Sequence, residues 1–218
     1  RRRYEPQLLA IPLLERMQVS IIIPFYNEAA HLKRTLNSFV AQHRRPDLLL
    51  LVNDHSTDES SSIALEFAQT YPFIQVIHHI SEASKSPGSK VINAFNYGLS
   101  QLEDYDLIGK FDADILLPPN YLETCIKAFE QQSNLGMYSG LLHIRIQGQL
   151  AYEGIANEDH VRGPIKLYSK SCFEAIGGLV SALGWDSVDT LLAEARGFDV
   201  QTNPTLIVEH LRPTSSEY

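Results

Sequence analysis

Cysteine is scarce in this sequence, and so are clusters of positive charge. Only Cys125 and Cys172 occur among 218 residues, each in an apolar stretch. This usage favours buried thiols in a reducing compartment over a disulfide framework, so we expect a cytoplasmic protein. Basic residues cluster only at the first three positions and at Arg44 and Arg45, and the formal net charge is −8. We therefore expect no nucleic-acid partner, because the basic footprint that binds a phosphate backbone is missing.

Long hydrophobic runs are also missing. The longest, Val19 to Pro24 and Leu48 to Val52, are far shorter than the ~20 apolar residues that cross a bilayer. The first residues lack the apolar core of a signal peptide. We expect no transmembrane segment in this chain. A start at Arg1 and a stop soon after His210 are compatible with a piece of a longer protein.

Internal repeats, low-complexity tracts and linkers do not occur either. A hydrophobic content of 44% is enough to bury one large core. We therefore expect residues 1–218 to form a single domain.

The sequence does contain an alternation of strand and helix patterns. A β-branched run at Val19 to Pro24 precedes helically spaced apolar residues, and a second run at Leu48 to Val52 precedes another such pattern. A third strand is predicted at Ile74 to Ile77. Successive strand–helix units imply parallel strands joined by crossover helices, so the first half is predicted to be an α/β sheet.

The alternation continues into a second half with a different texture. The patterns predict a helix over about 90–102, a buried strand over 107–111 and a helix over 121–131. After residue 135 they predict a strand over 137–146, a region punctuated by glycines, a helix over 187–196 and a strand over 205–208. We expect mixed strand pairing in this half.

Two acids one residue apart, Asp112 and Asp114, directly follow the buried strand over 107–111. Residues two apart on an extended chain point the same way, so the two carboxylates repel unless a cation or hydrogen-bond donors offset them. A divalent ion such as Mg²⁺ or Mn²⁺ suits these oxygen ligands, with substrate phosphates completing its coordination. A turn or a helix cap is the alternative for an isolated pair of this kind. Asn53 and Asp54 also follow a buried strand, so both groups can share the crevice at the strand ends.

Several further segments, in the same order along the chain, resemble the family-2 glycosyltransferases of the GT-A fold. The matching segments are Val19 to Glu28, Val52 to Asp58, Lys90 to Gly98, Phe111 to Asp114, Gly177 to Leu179, Gly184 to Asp186 and Val208 to His210. The resemblance extends from Val19 to His210. It implies a Rossmann-like domain with a mostly parallel, mixed central sheet flanked by helices. Residues 19–115 would form the half that binds the nucleotide-sugar, and residues 116–218 the acceptor side.

The resemblance also implies an activity. An inverting, metal-dependent enzyme of this family moves a sugar from a UDP- or GDP-linked donor to the hydroxyl of a saccharide, lipid-linked or protein acceptor. Family members of this kind serve in cell-surface polysaccharide or glycoconjugate synthesis. The implied location is the cytoplasm, and association with the inner face of a membrane is compatible with it.

Site residues follow from the matched motifs. Those implied to contact the nucleotide-sugar are Pro24, Phe25, Tyr26, Glu28, Asp54, Lys90, Asp112 and Ala113, with Lys85 nearby. Those implied to bind Mn²⁺ or Mg²⁺ are Asp112, Asp114 and His210. Two alternatives stay open: Asn27 can start the following helix, and Asp54 can form an Asx-turn.

A catalytic base is needed to take the proton of the acceptor hydroxyl. The resemblance implies Asp186 in this role, with Asp189 in reserve, although the glutamate that usually precedes this aspartate is replaced by Trp185. Asp186 can alternatively cap a helix. Trp185 is a candidate for acceptor contacts, since sugars stack on aromatic rings. Arg162 is a second candidate for acceptor contacts.

Three other functions share parts of this pattern. A phosphatase with an Asp-x-Asp motif expects Thr or Val where Leu116 stands, and a sugar nucleotidyltransferase expects a glycine-rich basic loop where Pro24 to Glu28 stand. A non-catalytic module that binds nucleotide-sugars is the third, because the binding motifs are complete while the region of the base departs from the family.

Overall fold

A computed structural model describes residues 16–80, 89–181 and 184–214. The strands are β1 (Val19–Phe25), β2 (Leu48–Asp54), β3 (Ile74–His79), β4 (Leu107–Phe111), β5 (Ile115–Leu116), β6 (Leu135–Ile146), β7 (Gln149–Tyr152), β8 (Ile165–Ser169) and β9 (Asp199–His210). The helices are α1 (Leu32–Val40), α2 (Ser60–Thr70), α3 (Ser89–Leu99), α4 (Tyr121–Gln131), α5 (Lys170–Ile176) and α6 (Trp185–Ala195). The strands form one sheet in the order β3-β2-β1-β4-β8-β6-β9-β5, with β7 paired to β6.

The first half is the predicted parallel α/β sheet. Strand β1 pairs in parallel with β2 on one side and with β4 on the other, and β2 pairs in parallel with β3. All seven residues of β1 and all five of β4 are buried. Strands covered on both faces read as continuous apolar runs, which is why the sequence patterns located them.

The second half has the expected mixed pairing. Strand β8 pairs antiparallel with β4 and with β6, while β6 pairs in parallel with β9. The short β5 pairs antiparallel with the end of β9, opposite His210. Because β5 follows Asp114 directly, this pairing holds the second acid of the pair beside the end of β9.

Several boundaries differ from the sequence predictions; helix α3, for example, ends at Leu99 instead of near residue 102. Helix α6 starts at Trp185, after Gly184 in a left-handed conformation, two residues earlier than predicted. Strand β9 covers twelve residues instead of the predicted four. Its register against β6 jumps between the partners of Ser139 and Leu141, so a stretch around Pro204 lies outside the ladder. A proline has no N–H to contribute there, and it broke the strand pattern in the sequence.

Four elements had no counterpart in the sequence predictions, and one of them is the two-residue strand β5. Strand β8 carries a buried lysine, Lys166, which interrupts its apolar pattern. Helix α5 has only seven residues; Ser169 caps its start and Gly177, with φ 81°, ends it. Strand β7 is four residues of half-exposed hairpin. Each of these is too short or too atypical for periodicity to detect.

Two buried clusters cover the two faces of the sheet. Successive residues of β1 face opposite clusters. Ile21 and Ile23 belong to the cluster with α1, α2 and α4, while Ile22 belongs to the cluster with α3, α5 and α6. Cys125 lies in the first cluster and Cys172 in the second, and both are buried free thiols as expected. Within the described part of the chain, no helix combines the length and apolar character needed for a membrane span.

The carboxyl ends of β1, β2 and β4 point to one edge of the sheet because these strands are parallel. His210 reaches the same region through the pairing of β9 with β5. This edge is where open α/β sheets bind ligands, and it holds the residues that the sequence singled out.

Candidate active site

A cavity of about 750 Å³ opens at this edge of the sheet. Of the predicted site residues that the structure describes, it brings together all except Asp189. The predicted residues that line it are Pro24, Phe25, Tyr26, Glu28, Asp54, Lys90, Asp112, Ala113, Asp114, Arg162, Trp185, Asp186 and His210. Lys85 lies outside the described residues. Side chains from a span of nearly 190 residues thus share one cleft, which is large enough for a small-molecule ligand.

The loop after β1 forms one wall. Tyr26 is 56% exposed and faces the cleft, where a flat ring can cover a ligand. Asn27 has φ 54°, and its side-chain oxygen accepts a hydrogen bond from the backbone N–H of Thr57 at 2.8 Å. Asn27 therefore ties this loop to the loop after β2. The alternative that Asn27 starts a helix is wrong, since α1 begins at Leu32.

The loop after β2 contributes Asp54. In the same loop, Asn53 Oδ1 accepts an Asx-type hydrogen bond from the backbone N–H of Ser56 at 2.9 Å. Asp54 lines the cavity beside Tyr26. Lys90, exposed in the first turn of α3, lies on the same side of the cleft.

Glu28 is buried and points toward the acid pair. Arg212 donates a hydrogen bond to its Oε1, while its Oε2 is buried and has no hydrogen-bond partner among the residues that the structure describes. Burial raises the pKa of Glu28 to about 7, although the hydrogen bond and charge of Arg212 act in the opposite direction. Glu28 is thus a buried acceptor with one oxygen still to be satisfied, which suits a ligand hydroxyl.

Asp112, Asp114 and His210 converge. One ligand atom from each lies within 4.8 Å of the others. His210 Nε2 is 3.6 Å from Asp114 Oδ1, and both side chains are almost fully buried. Each acid also has a cationic side chain beside it. Arg212 Nη2 lies 3.2 Å from Asp114 Oδ2, and Lys110 Nζ donates a hydrogen bond to Asp112 Oδ1.

The charges in this cluster shift one another. Burial raises the pKa of Asp114, but the hydrogen bond and charge of His210 and the charge of Arg212 outweigh it and hold the pKa below its usual value. Burial lowers the pKa of His210, but the carboxylates of Asp114 and Glu153 raise it to about 9. The cluster is therefore a set of interacting charges at the centre of the cleft.

The donor set fits a hard divalent cation. Two carboxylates offer oxygen, one imidazole offers nitrogen, and the three are close enough to share one ion. Oxygen donors with a single imidazole match the preferences of Mn²⁺ and Mg²⁺. The two acids sit on one short segment and the histidine on another strand, so the fold fixes their spacing.

The opposite wall of the cleft is the start of α6. Asp186 lies in its first turn and lines the cavity; its Oδ2 accepts from the backbone N–H of Gly163 at 3.4 Å and lies 3.8 Å from His160 Nε2. Asp186 does not cap the helix, because Gly184 occupies that position. Lys110 Nζ lies over the ring of Trp185, 5.1 Å from the ring centroid, which is a cation–π contact inside the cleft.

Asp189, one turn further along α6, is only 2% exposed and does not line the cavity. Lys166 Nζ lies 2.6 Å from its Oδ1, and the hydroxyl of Tyr168 donates to its Oδ2. Both oxygens are therefore engaged inside the protein. Of the two aspartates, only Asp186 is placed to reach a ligand.

Three residues of the site were missed in the sequence. Lys110 precedes Asp112 by two positions on an extended segment, so the period of two could have placed it on the same face. Arg212 follows His210 by two positions, past the end of the last strand. Glu153 carried no signal, because it lies in a connection between two strands that the patterns did not resolve.

Glu153 is 2% exposed and lies behind His210. Its two carboxylate oxygens are 3.2 and 3.1 Å from His210 Nδ1. Burial raises its pKa, but the hydrogen bonds from His210 and from the backbone of Thr214 outweigh this and hold the pKa below its usual value. A charged carboxylate therefore faces the far side of the histidine ring.

Comparison with known proteins identifies the class. The sequence profile described as Glycosyl transferase family 2 matches residues 20–148, more than half of the chain. The chain belongs to this family of glycosyltransferases. The expected resemblance is thereby confirmed.

Individual relatives share only limited sequence identity with the chain. The chain is 34% identical over 117 residues to the minor teichoic acid biosynthesis protein GgaB of Bacillus subtilis (strain 168), over 53% of this chain and 12% of that protein. A solved mannosyltransferase, PcManGT from Pyrobaculum calidifontis in complex with GDP-Man and Mn²⁺, superposes with a TM-score of 0.70 at 18% identity, over 93% of this chain and 59% of the other. TarS 1-349 of S. aureus in complex with UDP-GlcNAc gives a TM-score of 0.71 at 17% identity, over 93% and 62%.

These structural likenesses confirm the GT-A fold. The chain spans about an eighth of the length of GgaB and 35% of a second curated relative, an uncharacterized glycosyltransferase of Nostoc sp. (strain PCC 7120). The match thus locates a family-2 domain, while the site roles stay predictions.

Proposed function

We propose that this chain is the catalytic domain of a metal-dependent, inverting glycosyltransferase. It would move a sugar from a UDP- or GDP-linked donor to an acceptor hydroxyl. One observation carries the proposal: Asp112, Asp114 and His210 converge in a cleft that also exposes Asp186. Family membership and the fold shared with proteins solved with GDP-Man and UDP-GlcNAc support it.

The donor would lie along the strand ends. Tyr26 covers the base or ribose, Asp54 accepts from a base N–H, and the free oxygen of Glu28 accepts from a ribose hydroxyl. Pro24, Phe25 and Ala113 form the backbone floor between these side chains, and Lys90 adds positive charge on the nucleotide side. Asp112 would face the ribose and the metal.

Asp112, Asp114 and His210 would hold Mn²⁺ or Mg²⁺. When bound, such a cation supplies Lewis-acid stabilisation of the charge that develops on the departing diphosphate. Arg212 and Lys110, which lie against the same carboxylates, add further positive charge beside that position. Mn²⁺ in the mannosyltransferase with the same fold supports a cation of this kind.

Asp186 would act as the base. Its carboxylate takes the proton of the acceptor hydroxyl while that oxygen bonds to the anomeric carbon of the sugar. The bond from the anomeric carbon to the diphosphate oxygen breaks in the same step, so a single displacement inverts the configuration. Asp186 is favoured over Asp189 because it lines the cleft, whereas Lys166 and Tyr168 engage both oxygens of Asp189.

The acceptor would approach from the side of α6. Trp185 offers an aromatic face to a sugar ring, and Arg162 lies at the border of the cleft. A saccharide, lipid-linked or protein hydroxyl satisfies this chemistry, and synthesis of a cell-surface polymer is supported by the likeness to a teichoic acid biosynthesis protein. We propose action in the cytoplasm, at the inner face of the membrane.

The test combines binding with product analysis. UDP-GlcNAc and GDP-mannose, and UDP and GDP alone, are added to the protein with and without Mn²⁺, and the melting temperature is followed. We expect one nucleotide series to raise the melting temperature only with Mn²⁺. A ligand present at 100 times its Kd stabilises the folded state by about 2.7 kcal/mol. Release of the nucleotide and transfer of the sugar are then followed by mass spectrometry. Binding without release in any donor–acceptor mixture would instead identify a non-catalytic binding module, and no shift with any nucleotide would reject the donor site.

A further inference from the structure

The carboxylate of Glu153 is buried behind His210 and accepts hydrogen bonds from several partners. Besides the two contacts to His210 Nδ1, its Oε1 accepts from the backbone N–H of Thr214 at 2.8 Å and from the Thr214 hydroxyl at 3.1 Å. Arg162 Nη2 lies 3.6 Å from its Oε2. Glu153 does not line the cleft, so it has no access to a ligand there.

We propose that Glu153 is a positioning residue for His210: it accepts the Nδ1–H of the imidazole and thereby turns Nε2 toward Asp114. The proposal rests on the function proposed above, because it concerns the cation that Asp112, Asp114 and His210 would share. It adds a residue that no motif in the sequence identifies.

The geometry supports this role on both sides of the ring. Nδ1 has two carboxylate oxygens at 3.1–3.2 Å, whereas Nε2 faces Asp114 at 3.6 Å, the direction of the shared ligand position. An imidazole that donates through Nδ1 keeps Nε2 as its acceptor nitrogen. Histidines that bind metals usually donate their other ring N–H to a carboxylate or a carbonyl, which fixes the ring and raises its basicity.

The burial of Glu153 argues for a specific use. A carboxylate that is 2% exposed costs free energy unless partners offset it. Here His210, Thr214 and Arg162 supply those partners. A purely structural alternative remains: Glu153 anchors the segment after β9 through Thr214. The two roles predict different effects on the histidine ring.

The experiment measures cation binding directly, without turnover. Mn²⁺ affinity is determined by electron paramagnetic resonance, with and without UDP or GDP, for the wild type, Glu153→Ala and Glu153→Gln. We expect Glu153→Ala to weaken Mn²⁺ about 10–100-fold. Glu153→Gln, whose amide oxygen can still accept from Nδ1–H, should recover part of this loss. Glu123→Gln, on the exposed side of α4, is the matched control and should bind like the wild type.

A second measurement separates positioning from anchoring. Long-range proton–nitrogen spectra of the Mg²⁺-saturated protein should show the His210 proton on Nδ1, and Glu153→Ala should lose this preference. Thr214→Val removes the hydroxyl contact and should leave the spectrum unchanged. Equal Mn²⁺ affinity in the wild type and Glu153→Ala, or an unaltered His210 spectrum, would overturn the positioning role while leaving the proposed function intact. A wild type that binds no cation with either nucleotide would reject both.

Discussion

Lys166 and Asp189 form a salt bridge of 2.6 Å in which the lysine is 0% and the aspartate 2% exposed. Lys166 lies on β8 and Asp189 on α6, so the pair fastens the helix that carries Asp186 to the sheet. Burial lowers the pKa of Lys166 and raises the pKa of Asp189, and the attraction between the two charges opposes both shifts. The pair thus holds the proposed base in place through its helix.

Removing one partner of this pair should destabilise the protein strongly. We expect Lys166→Met to lower the free energy of unfolding by about 3–5 kcal/mol, because Asp189 is left buried without its counter-charge. Urea denaturation measures the effect. The double variant Lys166→Met with Asp189→Leu should regain much of the loss. Lys170→Met, which breaks an exposed pair with Asp104, is the control and should leave the urea midpoint unchanged.

A loss below ~1 kcal/mol for Lys166→Met would contradict the prediction. It would mean that the buried pair does not couple α6 to β8, and Asp189 would then be available for other roles.

Asp186→Asn should separate binding from chemistry. The amide keeps the size of the side chain and its place in the first turn of α6, so donor affinity should stay within a factor of about two or three. The turnover number should fall about 10²–10⁴-fold, the usual contribution of a positioned base. Steady-state transfer rates and donor titrations measure both quantities. Asp199→Asn, an exposed substitution outside the cleft, is the control.

Near-normal turnover of Asp186→Asn would remove Asp186 as the base. Loss of donor affinity together with turnover would instead assign Asp186 to binding.

Asp114→Ala should abolish metal-dependent binding of the donor. Asp114 is more buried than Asp112 and contacts both His210 and Arg212, so its loss removes one proposed ligand and disturbs a second. Calorimetric titration of UDP and GDP with Mn²⁺ measures the effect. Asp104→Ala, which alters an exposed ion pair far from the cleft, provides the control. Unchanged affinity would take Asp114 out of the ligand set.

Gly140 is expected to tolerate no side chain. A Cβ there would lie 2.0 Å from the carbonyl oxygen of Leu206, at the register shift between β6 and β9. Gly140→Ala should therefore lower the free energy of unfolding by at least about 1–3 kcal/mol, the range for overpacking. Gly154 has open space around the same position, so Gly154→Ala should change stability by less than ~1 kcal/mol. Similar urea midpoints for the two variants would show that β6 and β9 can separate at little cost.

The sequence predicted the first half of the fold well, since buried parallel strands such as β1 and β4 are continuous apolar runs between polar loops. The convergence of Asp112 with Asp54 followed from the same logic, because both come directly after such strands. His210 was placed by resemblance alone; its approach depends on the two-residue strand β5, which no pattern marked.

The parts that escaped prediction share a physical cause. Lys166 is a charged residue inside a strand, and its burial depends on Asp189, which lies more than twenty positions away. Glu153 is likewise held by partners from two other segments, with Arg162 on one and His210 and Thr214 on the other. Pairings between distant polar side chains leave no periodic trace, so they become visible only once the chain is folded.

Strand β4 lies where the pairing within the sheet changes: β1 runs parallel to it on one side and β8 antiparallel on the other. The loops after β1 and β2 lie on the first side, and Trp185 and Asp186 lie on the second. On the proposed function, the donor and the acceptor would therefore be recognised on opposite sides of β4. If that function holds, changes between β8 and α6 would redirect the sugar to a new acceptor and leave the proposed nucleotide pocket unaltered.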